Sequence, residues 1–402
     1  MTDLETDPTF EAEIDLGAAR AATPGCLDQV FLDSAGSSLP TTAVVDEVVE
    51  HLRREAEVGG YRAAAERLED LETVPASVGR LIGAEADLVA LTDSATRAWD
   101  LFVTALPWSP GDRVLVCGTE YASNAIALLQ RARLDGCVVE VVPNDGRGLV
   151  DLTALESMLD ERVRMVSLVH VPTNSGQVAP VREIVELTHR VGALVLLDAC
   201  QSVGQLRVDV AELGVDALSA TGRKWLRAPR GTGFLYVRRE VLEGLEPAAA
   251  DLRGATWTEA EDYALVPGAR RFELWEYDVA ARLGLKVAID QLVGLGLRTV
   301  ERTVRSRAAD LRHGLASIEG VTVHDVGEDL SGIVTFTVEG LAPEQVRDRL
   351  AEDRVTVTVS SASSTRLDMA ARGLEAVVRA SPHYFVSPAD LERAVEVVAA
   401  LR

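Results

Sequence analysis

Between about residues 87 and 240 the sequence alternates short, almost wholly aliphatic runs with amphipathic stretches. The runs are "DLVALTD", "RVLVCG", "CVVEVVP", "RMVSLVHVP", "ALVLLDAC", "VDALSAT" and "GTGFLYV". Between several of them lie segments such as "SNAIALLQRARL" (123–134) and "VREIVELTHRVG" (181–192), whose apolar residues recur at helical spacing. A strand that is apolar at every position is covered on both faces, and intervening helices let successive strands run parallel. The pattern therefore predicts an α/β fold built on a large, mostly parallel sheet. From 279 to 318 the apolar residues again repeat at helical spacing, over one long helix or two. The strands "VTVHDV", "GIVTFTV" and "VTVTVSS" follow, with a helix "APEQVRDRLAED" and a closing helix "PADLERAVEVVAALR", which reads as a smaller α+β domain. The expected organisation is an N-terminal segment over 1–40, a large domain over 41–278 and a small C-terminal domain over 279–402.

With 402 residues, 47% of them hydrophobic, the chain is long enough for two such cores. A net charge of −23 speaks against a nucleic-acid or anionic-membrane partner, because such partners require clustered positive charge. No apolar run reaches membrane-spanning length, and the acidic start "MTDLETDPTFEAEIDL" does not read as a signal peptide. A cytoplasmic protein is the expectation. Cys26, Cys117, Cys137 and Cys200 are scattered, without metal-ligand spacing, and the six histidines do not cluster, so no metal site is expected.

In open α/β sheets ligands settle at the carboxyl ends of the strands, so the residues after each strand carry the chemistry. "DLVALTD" is followed by Ser94-Ala95-Thr96, a small polar turn that is either an ordinary helix cap or a seat for a phosphate. "ALVLLD" ends on Asp198, with Gln201 close behind; the carboxylate is either a cap or the partner of a metal or a cationic ligand nitrogen. "VDALSAT" leads into Thr221-Gly222-Arg223-Lys224. Of 40 basic residues only Lys224 and Lys286 are lysine, so the chain otherwise writes its positive charge as arginine. An amine can lose its proton and attack a carbonyl, and a guanidinium cannot, which marks Lys224 as a candidate Schiff-base former. Lys286, in a helical stretch with no strand end nearby, shows that a lysine can also persist without such a role.

Taken in order, from "FLDSAGSSLP" to "VRASPHYF", these fragments resemble the pyridoxal 5'-phosphate (PLP) enzymes of fold type I, in particular the class V aminotransferase and cysteine desulfurase superfamily. The resemblance implies a PLP cofactor, an amino-acid substrate and a homodimer. It makes Lys224 the residue bonded to the cofactor and Asp198 the partner of the pyridine nitrogen, with Gln201 on the ring hydroxyl. Ser94, Ala95 and Thr96, together with Thr221 and Arg223, fall at phosphate-binding positions. Tyr121 in "EYASN" matches the residue stacked on the ring. Thr173, with Asn174 beside it, stands where relatives carry a ring-contacting asparagine. Arg379 in "VVRASPHYF" matches the arginine that grips the substrate carboxylate, which a planar guanidinium can hold by two parallel hydrogen bonds.

The chain also departs from the superfamily pattern. Relatives use a Gly-Thr pair after "RFE" to reach the partner's phosphate, where this chain reads "RFELWEY", and Glu276 does not favour a phosphate. By the same resemblance desulfurases need a mobile cysteine before the carboxylate-binding arginine, and "SSASSTRLDMAARGLEAVVRA" (360–380) has none, so cysteine desulfurase is rejected as the expected activity. "EAEVGGY" and "EYDVAARLGL" resemble the branch of ergothioneine-type C–S lyases, which release pyruvate and ammonia; isopenicillin N epimerase-like enzymes and aminotransferases are the alternatives. The expected reaction is β-elimination from an S-conjugated cysteine or its sulfoxide. Tyr61, His383 and Tyr384 are candidate proton donors to the leaving group, or simply packing residues. A nicotinamide dehydrogenase is disfavoured because no G-x-G-x-x-G opens a helix after an early strand. A non-catalytic scaffold would have no use for Lys224, Asp198 and Arg379 together.

Overall fold

The computed structural model describes residues 13–401; residues 1–12 of the acidic start read above lie outside them. Helices α1 (Thr42–Val58) and α2 (Leu68–Ile82) precede a seven-stranded sheet. Its strands are β1 (Val89–Thr92), β2 (Arg113–Cys117), β3 (Val138–Val142), β4 (Val163–Val169), β5 (Leu194–Asp198), β6 (Ala217–Thr221) and β7 (Gly233–Val237). Connections between them include α3 (Ala95–Ala105), α4 (Ala122–Asp135) and α5 (Val181–His189). The spatial order is β1-β7-β6-β5-β4-β2-β3, and only β7 runs against its neighbours. The aliphatic runs are strands for the expected reason: β2, β6 and β7 are buried at every position. β3 forms an edge, and its outward valines are partly exposed.

Two helices follow the sheet, α6 (Val279–Gly294) and α7 (Leu297–Ala316). The break between them falls at Gly296, whose φ of 84° an L-residue adopts only with strain. Helix α6 packs against α1 and α2, whereas α7 packs against the closing helix and the first strand of the small domain. Either side of Gly296, therefore, α6 lies with the helices ahead of the sheet and α7 with the closing elements of the chain.

The small domain holds an antiparallel sheet of β8 (Val321–Val323), β9 (Val334–Val338), β10 (Thr358–Ser361) and β11 (Ala376–Ala380), in the order β8-β9-β11-β10. Helices α8 (Pro343–Glu352) and α9 (Pro388–Ala399) complete it. The N-terminal segment reaches this domain at 30–33, where Val30–Phe31 pairs with Val355–Thr356 and Asp33 bridges to Ser381. None of the described helices is long and apolar enough to cross a membrane.

Candidate active site

Strand register brings the separated motifs to one edge of the sheet. Gly233 pairs with Thr92 on one side and Thr221 on the other, so the turns 93–96 and 222–224 leave the sheet together. Asp198 pairs with Ser219 of β6 and with Val169 of β4, which places the segments 198–201 and 170–174 beside them. At the first turn Ser94 caps α3, its Oγ accepting from the Arg97 N–H at 3.2 Å. Ala95 and Thr96 are the first helical residues and present free amides and the positive end of the dipole. Thr221 is buried and donates its hydroxyl to the Thr232 carbonyl at 3.2 Å.

Lys224 is partly accessible, and its Nζ makes no hydrogen bond or ion pair with another of the described residues. Burial lowers its pKa from the ordinary lysine value, against the opposing pull of Cys200 and Asp198 and with help from Arg223 and Arg379. The control behaves differently: Lys286 Nζ is paired with Asp290 at 2.6 Å, one turn along α6. The Lys224 turn is fixed from two directions. Gly204, at φ 100°, lets the loop after Asp198 touch the Trp225 backbone, where a Cβ would stand 2.6 Å from the Trp225 carbonyl carbon. Arg227, itself in the left-handed region at φ 62°, is held by Leu39 O at 2.8 Å, by the Tyr384 hydroxyl and Thr23 Oγ1, both at 2.5 Å, and by the Phe385 ring. These contacts offset a backbone cost of about 1–3 kcal/mol.

Asp198 is buried; its Oδ1 accepts from the Cys200 N–H at 2.9 Å and its Oδ2 from Asn124 Nδ2 at 2.9 Å. The Gln201 amide donates to Ala35 O at 3.1 Å and to Thr173 Oγ1 at 3.3 Å, and its oxygen accepts from Trp225 Nε1 at 3.0 Å. Thr173 Oγ1 also accepts from Arg379 Nη1 at 2.6 Å, so it joins the expected ring contact to the expected carboxylate grip. Arg379 lies in β11 and is buried; its Nη2 reaches Asp33 at 3.3 Å, while its Nε–H is buried without a partner. Arg223 donates to the Gly36 carbonyl, and Tyr121, at the start of α4, stands within electrostatic reach of Arg379.

Four of the residues singled out in the sequence are engaged or placed elsewhere. Asn174 makes contacts of its own: its amide donates to Ser361 O at 3.1 Å and its oxygen accepts from Ser360 Oγ at 2.5 Å, which ties it to β10. His383 is no proton donor, because Nε2 donates to Trp225 O at 2.9 Å, Nδ1 accepts from the Tyr384 N–H at 2.8 Å, and burial pulls its pKa down to about 3. Tyr384 is buried on Arg227, and Tyr61 is 83% exposed, so neither reaches the site within this chain. The residues that sequence reasoning left unassigned are Asp33, Ala35 and Gly36 of "FLDSAGSSLP", and Asn124 and Glu120 of "EYASN" and its flank. The signal for the first three was a run of small residues beside an acid, after a short apolar stretch.

The "RFELWEY" segment is anchored by Glu273. This buried carboxylate accepts from Arg253 and Arg282 at 2.8 Å each and from the Leu91 N–H at 3.0 Å, and so ties the segment to β1. Beyond it Leu274, Glu276 and Tyr277 share a cleft of about 540 Å³ with Thr92, Asp93 and Arg97, at the turn that leads into α3. Burial pushes the Glu273 pKa up, but Arg282 and Arg253 outweigh it and the net direction is down. The folded chain therefore binds this proton less tightly than the unfolded one. The stabilisation is complete above the ordinary glutamate pKa and is lost as pH falls through the lower folded value. Glu273→Ala leaves the buried Arg282 guanidinium without its acid and leaves the partly buried Arg253 only the more distant Glu72, and is expected to cost about 3 kcal/mol in urea unfolding at neutral pH.

The residues present fit PLP. An amine without a partner among the described residues is there for its aldehyde, a buried carboxylate for its ring nitrogen, and a helix N-terminus, at a turn that leaves the sheet together with 222–224, for its phosphate. The orphaned Arg379 Nε–H answers to the carboxylate of an amino acid. Residues 30–394 match the family model described as Aminotransferase class-V. The chain belongs to this family. It is a PLP-dependent enzyme of fold type I.

Relatives cover nearly its whole length. A protein of Methanothermobacter thermautotrophicus named probable cysteine desulfurase is 29% identical over 382 residues, covering 93% of this chain and 94% of that protein. A protein of Mycobacterium tuberculosis named probable hercynylcysteine sulfoxide lyase is 31% identical over 390 residues, covering 95% and 92%. The apo structure of a cysteine desulfurase from Thermococcus onnurineus superposes with a TM-score of 0.89 at 25% identity, covering 96% of this chain and 97% of that one.

Proposed function

We propose that the chain is a C–S lyase that removes the sulfur substituent of an S-conjugated cysteine, or of its sulfoxide, by β-elimination, and that it works as a cytoplasmic homodimer. The observation that carries this reading is the absence of a thiol where a desulfurase would need one. In the segment 360–380 the turn after β10 is built from serines, and Ser364 O accepts from the Ala122 N–H at 2.9 Å beside Tyr121. Of the four cysteines three are fully buried, and Cys200, next to Asp198, is pushed up to about 12 by burial, which keeps it a neutral thiol and a poor nucleophile. Sulfur then leaves with the product instead of passing to the protein.

PLP, when bound, supplies an aldehyde that captures the substrate amine and a ring that accepts the electron pair released at Cα. Asp198 holds the charge on the ring nitrogen, and its two N–H donors fix the plane of its carboxylate. Arg379 takes the substrate carboxylate on its free Nε–H edge, which orients the Cα–H bond. Lys224 Nζ, neutral at lower pH than an exposed lysine, takes the α-proton as general base. The Cβ–S bond then breaks with its electron pair on sulfur, and water releases the three-carbon remainder as pyruvate and ammonia.

The names of several relatives favour desulfuration as the second reading, and one assay series separates the possibilities. We expect pyruvate from S-substituted cysteines and their sulfoxides, with no added amino acceptor. Alanine from free cysteine, with sulfane sulfur left on the protein, would replace the proposal with desulfuration. Exchange of the α-proton in deuterium oxide without pyruvate would make it an epimerase, and a requirement for a 2-oxo acid a transaminase. The homodimer reading rests on large apolar side chains left exposed, among them Trp257 at 74%, Leu252 at 73% and Ile126 at 68%. Light scattering should give twice the chain mass, and a monomer at micromolar concentration would remove that part.

A further inference from the structure

A second buried carboxyl lies behind Asp198, with no part in the chemistry above. Glu120 Oε1 accepts from Asn124 Nδ2 at 2.9 Å and from the Tyr121 N–H at 2.8 Å, and Oε2 accepts from Ser167 Oγ at 2.6 Å. The same Asn124 Nδ2 donates to Asp198 Oδ2 at 2.9 Å. An amide NH₂ has two hydrogens, so both are spent on carboxyl groups, and Asn124 is locked between them. Glu120, Asn124, Ser167 and Asp198 are all at most 6% exposed, so no bulk water stands in for a missing partner.

We infer that Glu120 is a positioning residue: through Asn124 it orients Asp198, and through its own charge it strengthens the hold of Asp198 on the ring nitrogen of the cofactor. The inference rests on the PLP site described above and adds a residue to it. Two negative groups joined by one amide draw a cation toward the site more strongly than one, and in a buried setting that effect is little screened.

Glu120 is also placed to titrate. Burial, followed well behind by the charge of Asp198, raises its pKa, the three hydrogen bonds oppose the rise, and the result is about 7. The titratable groups facing it are Asp198 from β5 and the Cys117 thiol from β2; Asn124 from α4 and Ser167 from β4 are neutral. The ring nitrogen should therefore sense a second, outer titration near neutrality.

The test uses the full chain reconstituted with PLP labelled with ¹⁵N in the ring. In the wild type the ring-¹⁵N resonance should show a pyridinium with a pH-dependent step near 7. In Glu120→Gln the charge goes but the side-chain oxygen still accepts from Asn124, so the pyridinium should persist and the step vanish. Glu120→Ala frees the amide as well and should weaken PLP binding by about tenfold, the loss expected for one buried charge-assisted hydrogen bond. Retention of the step in Glu120→Gln, or unchanged PLP affinity in a folded Glu120→Ala, overturns the inference and leaves the PLP site standing. A wild type that takes up no PLP overturns both.

Discussion

Lys224→Ala is expected to lower kcat/KM by at least about 10³-fold, because it removes both the covalent anchor of the cofactor and the base that takes the α-proton. Two further readouts tie the loss to the amine. Borohydride should fix PLP to the wild-type protein as a stable mass increase and leave Lys224→Ala unlabelled. Lys286→Ala supplies the control within the same chain. Its ammonium spans a single turn of α6 to a partly exposed Asp290, a pair worth about 0.3–0.5 kcal/mol, so activity and labelling should be unchanged. A Lys224→Ala protein that keeps a tenth of wild-type activity, or still couples PLP on reduction, would remove the assignment.

Arg379→Ala comes second in expected size. The guanidinium is buried, held by Thr173 Oγ1 on one edge and Asp33 on another, with Nε–H left for a ligand. Losing a charge-assisted grip on a carboxylate should reduce kcat/KM by about 10²-fold while the absorption of the bound cofactor stays intact. Arg379→Lys keeps the charge but not the planar fork and should recover only a small part. An S-substituted cysteamine has no carboxylate to be held, so wild type and Arg379→Ala should process it equally poorly. A preserved preference for the carboxylate-bearing substrate in Arg379→Ala would show that another residue binds it.

Asp33 is also affected. Burial raises the pKa of its carboxyl, and Arg379 is the principal opposing influence. Without Arg379 the proton is held more firmly. Arg379→Ala should therefore lose some stability as well as affinity, and Arg379→Lys, which returns a cation, should regain more of the stability than of the turnover.

Much of the large domain was legible because its determinants are local. Each aliphatic run is a strand because both of its faces are covered, and each amphipathic segment a helix because one face is; neither inference needs to know the neighbours. Lys224, Asp198 and Gln201 could be picked out because each directly follows such a run, where an α/β sheet places its ligands. Lys224 carried the further mark of being an amine in a chain of guanidinium groups.

What failed to show in the sequence depends on contacts between distant segments. Asn174 sits in a promising turn, yet its amide is claimed by Ser360 and Ser361, nearly two hundred residues later. His383 and Tyr384 read as proton donors until Trp225 and Arg227 occupy their polar atoms. Helix α6 adjoins the small-domain strands in sequence, yet it packs on α1 and α2. Periodicity and residue type thus determined the fold class and the sheet and singled out the candidate amine, since a buried strand and a lone lysine are each properties of a short stretch of chain. Only the tertiary structure decided which polar atoms remain free, because a hydrogen bond is spent on whichever partner folding brings within 3 Å. That is how Asn174 and His383 come to spend polar atoms on Ser360, Ser361 and Trp225, and how Asp33 comes beside Arg379 and Asn124 and Glu120 beside Asp198.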